Sequence, residues 1–283
     1  MKPAEAFQRD WGVDTPIAHE SVKIEPAMSE GAEEAAALER SWVFRWLQRN
    51  RHKLNEIAGR SSLIPDTPVL DSKIFDWAGA VAEHWEEIRD EARGIYQHLD
   101  AIPPLRDISP DHRGIVADNS WRSFFLVGYG NEMAENIARA PRTAELVKKI
   151  PGLNSAFFSI LAPGAHISRH RGVAKAFFTA HLGLVVPKDW QNCTMQVEDE
   201  FVHWREGEWT IFDDVYHHEV WNNTDQERII LLCQVERPMR FPGNLMKKFF
   251  MWYLKRSPFV TDAQRELSAW ENAFAEAEKR EAA

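Results

Sequence analysis

Phe212-Asp213-Asp214-Val215-Tyr216-His217-His218-Glu219-Val220-Trp221, the turn Asn222-Asn223-Thr224-Asp225 and the run Arg228-Ile229-Ile230-Leu231-Leu232 carry the reading of this chain. Two β-forming runs flank a cluster of turn residues, which is the pattern of a β-hairpin. His218 then stands on one arm and Arg228 opens the other, so the two can serve one small pocket. A neutral imidazole is a good ligand for a redox metal, and an arginine fork grips a carboxylate. The pairing points to an iron enzyme that binds a carboxylic acid cosubstrate.

Upstream, the chain keeps the same character. Trp121 to Tyr129 is aromatic and strand-like, and Phe157-Phe158-Ser159-Ile160-Leu161 is a strand closed by Pro163-Gly164. Phe177 to Val186, Thr194 to Val197, Phe201 to Trp204, Trp209 to Phe212, His218 to Trp221 and Arg228 to Val235 are further short β segments. Asp199-Glu200 and Arg205-Glu206-Gly207-Glu208 look like hairpin turns between them. Many short strands at this spacing indicate a mainly β core, a sandwich or barrel-like jelly roll.

Helices flank that core. Ala35-Ala36-Ala37-Leu38 leads into Trp42, Trp46 and Leu47 at helical spacing, predicting a helix from Gly31 to about Ile57. Ile74, Trp77, Val81, Trp85 and Ile88 predict a second, running to about Leu99 and ended by Pro103-Pro104. Asn131 to Ile150 reads as a helix carrying Pro141, and Met246 to Leu254 and Asp262 to about Arg280 as C-terminal helices. Residues 1–30 mix Pro, Glu, Asp and Ser without periodicity and read as a poorly ordered tail. The expected organisation is a tail over 1–30, a helical region over 31–118 packing on the core, a β domain over 119–240, and C-terminal helices over 241–283.

Composition bounds the function. The 283 residues, 44% of them hydrophobic, suffice for a sizeable core. Twelve Trp and sixteen Phe fit a β-rich core or an apolar cleft. A formal charge of -9 argues against a general nucleic-acid binder, because phosphate affinity needs concentrated Lys and Arg. Cys193 and Cys233 are the only cysteines, so no disulfide framework or thiolate zinc site is implied, and a reducing cytoplasm is the expected home. Met1 to Glu20 lacks the basic-then-apolar pattern of a signal peptide, and nowhere do eighteen apolar residues run together.

Three histidines form the candidate chemistry: His170 and His181 on either side of Gly172 to Ala180, and His218 downstream. A jelly roll brings such strands to one mouth, where imidazoles can bind Fe(II) and leave positions for a cosubstrate and dioxygen. The usual facial triad reads His-x-Asp/Glu at its first site, whereas His170-Arg171-Gly172 has glycine there. Spacing alone leaves a metal site and a packing role for these histidines both open.

Three ordered motifs go further. Ser159-Ile160-Leu161-Ala162-Pro163-Gly164-Ala165-His166-Ile167-Ser168-Arg169-His170, the run His181-Leu182-Gly183-Leu184-Val185-Val186-Pro187, and Phe212-Asp213-Asp214 through His218-Glu219-Val220-Trp221 resemble the aspartyl/asparaginyl β-hydroxylase family, bacterial type, over roughly Trp121 to Pro238. The resemblance implies a double-stranded β-helix and an Fe(II)- and 2-oxoglutarate-dependent dioxygenase that uses O2 and releases succinate and CO2. It implies two histidine ligands without a protein carboxylate, carried over to His170 and His218, with a coordination position left open at Gly172. Arg228 matches the arginine for the distal carboxylate of 2-oxoglutarate, Ser159 a hydroxyl that assists it, and His181 a histidine of the cosubstrate pocket. The family's hydroxylases of protein substrates carry an arginine two residues before that histidine. Here the position is Thr179, and Lys175 is the nearest cation to replace it. Asp213 and Asp214 are candidates to accept from ligand N–H groups. His217, a strand neighbour of His218, is expected to face away.

The resemblance leaves an aspartyl/asparaginyl-type, lipid acyl-chain or small-molecule substrate open. The segment Asn244 to Arg256 is cationic, aromatic and apolar, as interfacial helices are, so peripheral contact with the inner membrane face stands beside a core-docking helix. A non-catalytic cupin-like metal- or ligand-binding module is the competing class.

Overall fold

The computed structural model describes residues 42–108, 115–116, 118–172 and 174–281. The tail expected over 1–30 and the start of the helix expected from Gly31 lie outside the described residues. In chain order the elements are α1 (Trp42–Ser61), β1 (Val69–Leu70), α2 (Asp76–Ala82), α3 (Trp85–Tyr96), α4 (Leu105–Ile108), β2 (Trp121–Gly128), β3 (Asn131–Glu132), α5 (Ala134–Arg139), α6 (Pro141–Val147), β4 (Leu153–Leu161), β5 (His166–His170), β6 (Phe177–Val185), β7 (Cys193–Val197), β8 (Glu200–His203), β9 (Trp209–Phe212), β10 (His218–Asn222), β11 (Arg228–Glu236), α7 (Gly243–Leu254) and α8 (Pro258–Glu281).

The strands form two antiparallel sheets that face each other as a jelly roll. A major sheet runs β1-β9-β6-β11-β4-β2-β3, and a minor one β5-β10-β7-β8. Side chains alternate along a strand, so each central strand of the major sheet serves two cores. Phe158 and Ile160 of β4, Ala180 and Leu182 of β6, and Ile229 and Leu231 of β11 pack outward under the helices, with Ile88, Ala92 and Ile95 of α3. Phe157, Leu161 and Ile230 pack inward against Ile167, Met195, Val197 and Val220 of the minor sheet. Each such side chain, fully buried, contributes about 1.5–3 kcal/mol. The same alternation turns Ser159, Thr179, His181 and Arg228 into the space between the sheets.

Four expectations change. The run through His218 and the run from Arg228 are not a hairpin. β10 pairs with β5 and β7, while β11 pairs with β4 and β6. With both edges of each strand occupied, the intervening turn must cross from one sheet to the other. Buried Asn222 holds that corner, its amide donating to the carbonyls of Leu161, Ala162 and Gln226. The Arg205–Glu208 turn likewise joins β8 of one sheet to β9 of the other, whereas the turn at Asp199 does close the β7–β8 hairpin. Helix is interrupted at Glu83–His84 between α2 and α3, and the helix expected over 131–150 divides into α5 and α6 with Pro141 opening the second. Proline has no N–H to give to a preceding turn and is at home at a helix start.

β1 also belongs to the major sheet, pairing with β9 through Val69↔Phe212 and Leu70↔Ile211, so the stretch before residue 119 contributes a strand to the β core. Cys193 and Cys233 are buried and unbridged.

Candidate active site

His170 ends β5 and His218 begins β10, and the ladder sets the two directly opposite each other. Their ring centroids lie 4.1 Å apart. His170 Nδ1 contacts the carbonyl of Ser168 at 2.8 Å, and His218 Nδ1 that of Tyr216 at 3.0 Å. A carbonyl only accepts, so each Nδ1 carries the proton and each Nε2 the lone pair, the tautomer a metal needs. Burial lowers the pKa of His170, which keeps its imidazole neutral. Among the described residues no three His, Cys, Asp or Glu side chains converge as a metal site. The available donor set is therefore two imidazoles, suited to a divalent first-row metal that keeps several positions open.

Across from this pair, the inner face of the major sheet presents hydrogen-bond donors. Trp204 Nε1 donates to His181 Nδ1 at 3.3 Å, which leaves the His181 proton on Nε2. That Nε2–H is buried and has no hydrogen-bond partner among the described residues. Burial first, then the charges of Arg228 and His218, hold the pKa of His181 well below the ordinary value, so it stays a neutral donor. Arg228 is 2% exposed, lies over the Trp204 ring at 4.3 Å, and donates to Ser159 Oγ at 3.4 Å. Its Nε has no partner, and no carboxylate is paired with it among the described residues. Burial pulls its pKa down to about 10, so it remains a cation at neutral pH. Ser159 Oγ also accepts from Trp121 Nε1 at 2.9 Å, so its own hydrogen is left to donate elsewhere. Phe212 joins the two walls, with its ring 5.1 Å from both His181 and His218.

The family model for Aspartyl/Asparaginyl beta-hydroxylase matches residues 82–238, which contain every one of these side chains. The chain belongs to that family. Within it, the Ornithine lipid ester-linked acyl 2-hydroxylase of Rhizobium tropici is 37% identical over 212 residues, covering 75% of each chain. The human Aspartyl/asparaginyl beta-hydroxylase is 29% identical over 168 residues, 58% of this chain and 21% of that one, so the chain spans about a fifth of the human relative. Among solved structures, a Pseudomonas putida prolyl-4-hydroxylase aligns with TM-score 0.36 and 16% identity over 57% of this chain and 99% of that one, too distant to bear on the site.

The residues where this member of the family departs from expectation sit together. Asp213, fully buried, is paired with Arg237 and lies 3.1 Å from Lys175, whose ammonium also bonds Asp66. Lys175 is therefore already matched by two carboxylates and stacked over Tyr216. Asp213 and Asp214 do not accept from the ligand N–H groups, since backbone carbonyls do so. Asp214 turns inward instead, its Oδ2 3.5 Å from Thr179 Oγ1 and its Oδ1 buried without a partner. Burial, reinforced by Asp213, pushes the Asp214 carboxyl up to about 7. A Cβ on Gly172 would come within 2.7 Å of that carboxylate. Gly172 is thus not an empty position: Asp214 fills the space its side chain would take. His217 stands outside the site, beside Glu198.

Trp204, which orients His181 and lines the site, carries no signal in sequence beyond the aromatic excess. An apolar cleft of about 530 Å³, lined by Phe75, Trp77 and Phe178, lies on the outer face of the major sheet and contains none of these residues.

Proposed function

We propose that this chain is an Fe(II)- and 2-oxoglutarate-dependent hydroxylase. His170 and His218 hold the iron, and Arg228, Ser159 and His181 hold the cosubstrate. The observation that carries the reading is the set of unanswered donors opposite the histidine pair. A buried guanidinium without a counter-charge costs several kcal/mol, and a bound carboxylate offsets that cost through charge-assisted hydrogen bonds. Arg228 and Ser159 suit the distal carboxylate of 2-oxoglutarate, and the His181 Nε2–H suits an oxygen nearer the metal. Lys175, already matched by Asp66 and Asp213, is assigned to bracing the loop after His170 rather than to the cosubstrate.

When bound, the iron supplies the activation of O2 that couples decarboxylation of 2-oxoglutarate to hydroxylation of a C–H bond. One oxygen atom enters the product and the other enters succinate as C1 leaves as CO2. The protein's part is to orient the cosubstrate from Arg228, fix both ligand rings through the Ser168 and Tyr216 carbonyls, and exclude water with Trp204, Phe212 and Trp121. The substrate we propose is a lipid acyl chain, supported by the Rhizobium tropici relative, which matches three quarters of the chain, and by Thr179 in place of the arginine of the protein hydroxylases.

Anaerobic addition of Fe(II) and 2-oxoglutarate to the apoprotein is expected to raise a weak visible charge-transfer band, and air then to release succinate. His170→Ala and His218→Ala are expected to lose both at unchanged folded content. A bound metal and 2-oxoglutarate without any succinate, with every lipid tried, would move the chain to the non-catalytic cupin-like class.

A further inference from the structure

α7 is apolar on two faces, and the described residues pack on only one of them. Inward, Met251 is buried, and Phe250 and Leu254 pack on Ala174, Ala176 and Phe177. Outward, Leu245, Phe249 and Trp252 recur at intervals of four and three, in line with Phe241 just before the helix, and are 51–75% exposed. Phe249 and Trp252 stack on each other at 6.1 Å within this stripe. An apolar surface of this kind on a helix that already has its packing face needs a partner.

The charge around the stripe identifies the partner. α1 packs on α7, and the end of α1 is tied to the start of α7 by Arg240 N to the Ser61 carbonyl and Gly243 N to Ser61 Oγ. Residues 42–61 and 240–256 together carry ten Lys and Arg against the single acid Glu56, in a chain whose net charge is -9. Trp46 on α1 is also half exposed, flanked by Arg45 and Arg49, which have no ion-pair partner among the described residues. Arg171, the neighbour of His170, lies near Arg51 of α1. Burial first and then that positive charge lower the Arg51 pKa, a repulsion an anionic surface would relieve. Lysine is depleted from the cores of protein–protein interfaces, whereas aromatic side chains rimmed by Lys and Arg are what a bilayer's polar–apolar boundary favours.

We propose that the paired outer faces of α1 and α7 dock the protein on the surface of an anionic phospholipid bilayer. Among the described residues no helix is long and apolar enough to cross a membrane, so the contact is peripheral. The docked elements also adjoin the site. α7 packs on residues 174–177, and Asn55 of α1 accepts from Lys175 N at 3.0 Å, on the loop that follows His170. As the route by which an acyl substrate arrives, this face rests on the function proposed above; as a docking surface it stands on its own residues.

The test is co-sedimentation of the full chain, without iron or 2-oxoglutarate, with vesicles of phosphatidylcholine alone and with vesicles containing about a third phosphatidylglycerol. The expected result is a partition at least tenfold higher onto the anionic vesicles that falls as salt is raised. It should be lost in Phe249→Ser/Trp252→Ser and, separately, in Lys248→Glu/Lys255→Glu, all exposed positions at which circular dichroism is expected not to change. Equal partition onto both vesicles, no binding to either, or wild-type binding by the aromatic variant overturns the proposal. So does a protein that sediments as a dimer in solution and becomes a monomer in the aromatic variant, which would assign the stripe to a second copy of this chain. None of these outcomes touches the charge-transfer band, so failure here is distinguishable from failure of the proposed chemistry.

Discussion

Arg228 and Asp214 show how one side chain's surroundings set what it can do. Arg228 is held by a ring and one hydroxyl, with no carboxylate beside it, so its positive charge is available to a ligand. Arg228→Lys keeps the charge but loses the planar fork. It is expected to raise the 2-oxoglutarate concentration at half-maximal rate by about tenfold, roughly 1.4 kcal/mol, with kcat little changed. An unchanged requirement with a lowered Tm would assign Arg228 to packing alone. Asp214 is the opposite case, a carboxyl whose charge is disfavoured. Its folded pKa of about 7 exceeds the ordinary 3.8, so between these values the folded state binds more protons than the unfolded one. Its contribution to stability is full below pH 3.8 and is lost as the pH rises through about 7. In the metal-free protein Asp214→Asn should therefore raise Tm at pH 8 and leave it unchanged near pH 4, measured by thermal denaturation across that range. A constant difference at all pH values would show that Asp214 is not buried as a strained charge.

At the scale of elements, the site depends on the segments that cross between sheets. The turn from β8 to β9 lies directly on β6: Gly183 N donates to the Glu208 carbonyl, Gly207 N to that of Gly183, and a Cβ on Gly183 would meet the Arg205 carbonyl at 2.1 Å. Backbone cannot yield as a flexible side chain can. Gly183→Ala is expected to destabilise by about 1–3 kcal/mol and to displace Trp204, the partner of His181, lowering affinity for 2-oxoglutarate as well as Tm. Retention of both would mean that the crossing does not constrain the pocket. Asn222 plays the corresponding part at the other crossing, and Asn222→Ala leaves the carbonyls of Leu161 and Ala162 without its amide. A loss of about 2 kcal/mol in denaturant unfolding is the expected outcome. Neither crossing was legible locally, because a turn followed by a strand looks the same whether the strand returns to its neighbour or passes to the facing sheet.

Across the whole molecule, two walls built by different sheets must meet for the site to exist, so ligands that bridge them should stabilise the fold. Fe(II) with 2-oxoglutarate at about a hundred times their dissociation constant is expected to add about 2.7 kcal/mol, raising Tm by several degrees, and a chelator should reverse the shift. Ligands that leave Tm unmoved would argue against a shared pocket. The strands were readable because their apolar, β-branched and aromatic runs are bounded by turn residues, and the ladder then turns Ser159, His181 and Arg228 to a common face. Residue types and motif order likewise determined the family and the histidine and arginine positions. What only the tertiary structure decided is which strand stands beside which, and therefore what occupies the space around each group. It turned a supposed hairpin into two facing walls, matched Lys175 with Asp66 and Asp213, and set Asp214 in the space beside Gly172. Those pairings join residues up to 109 apart in the chain, and no local pattern records them. The physical reason is that a side chain's period is a property of its own strand, whereas its neighbours across the core follow from how the sheets fold over each other.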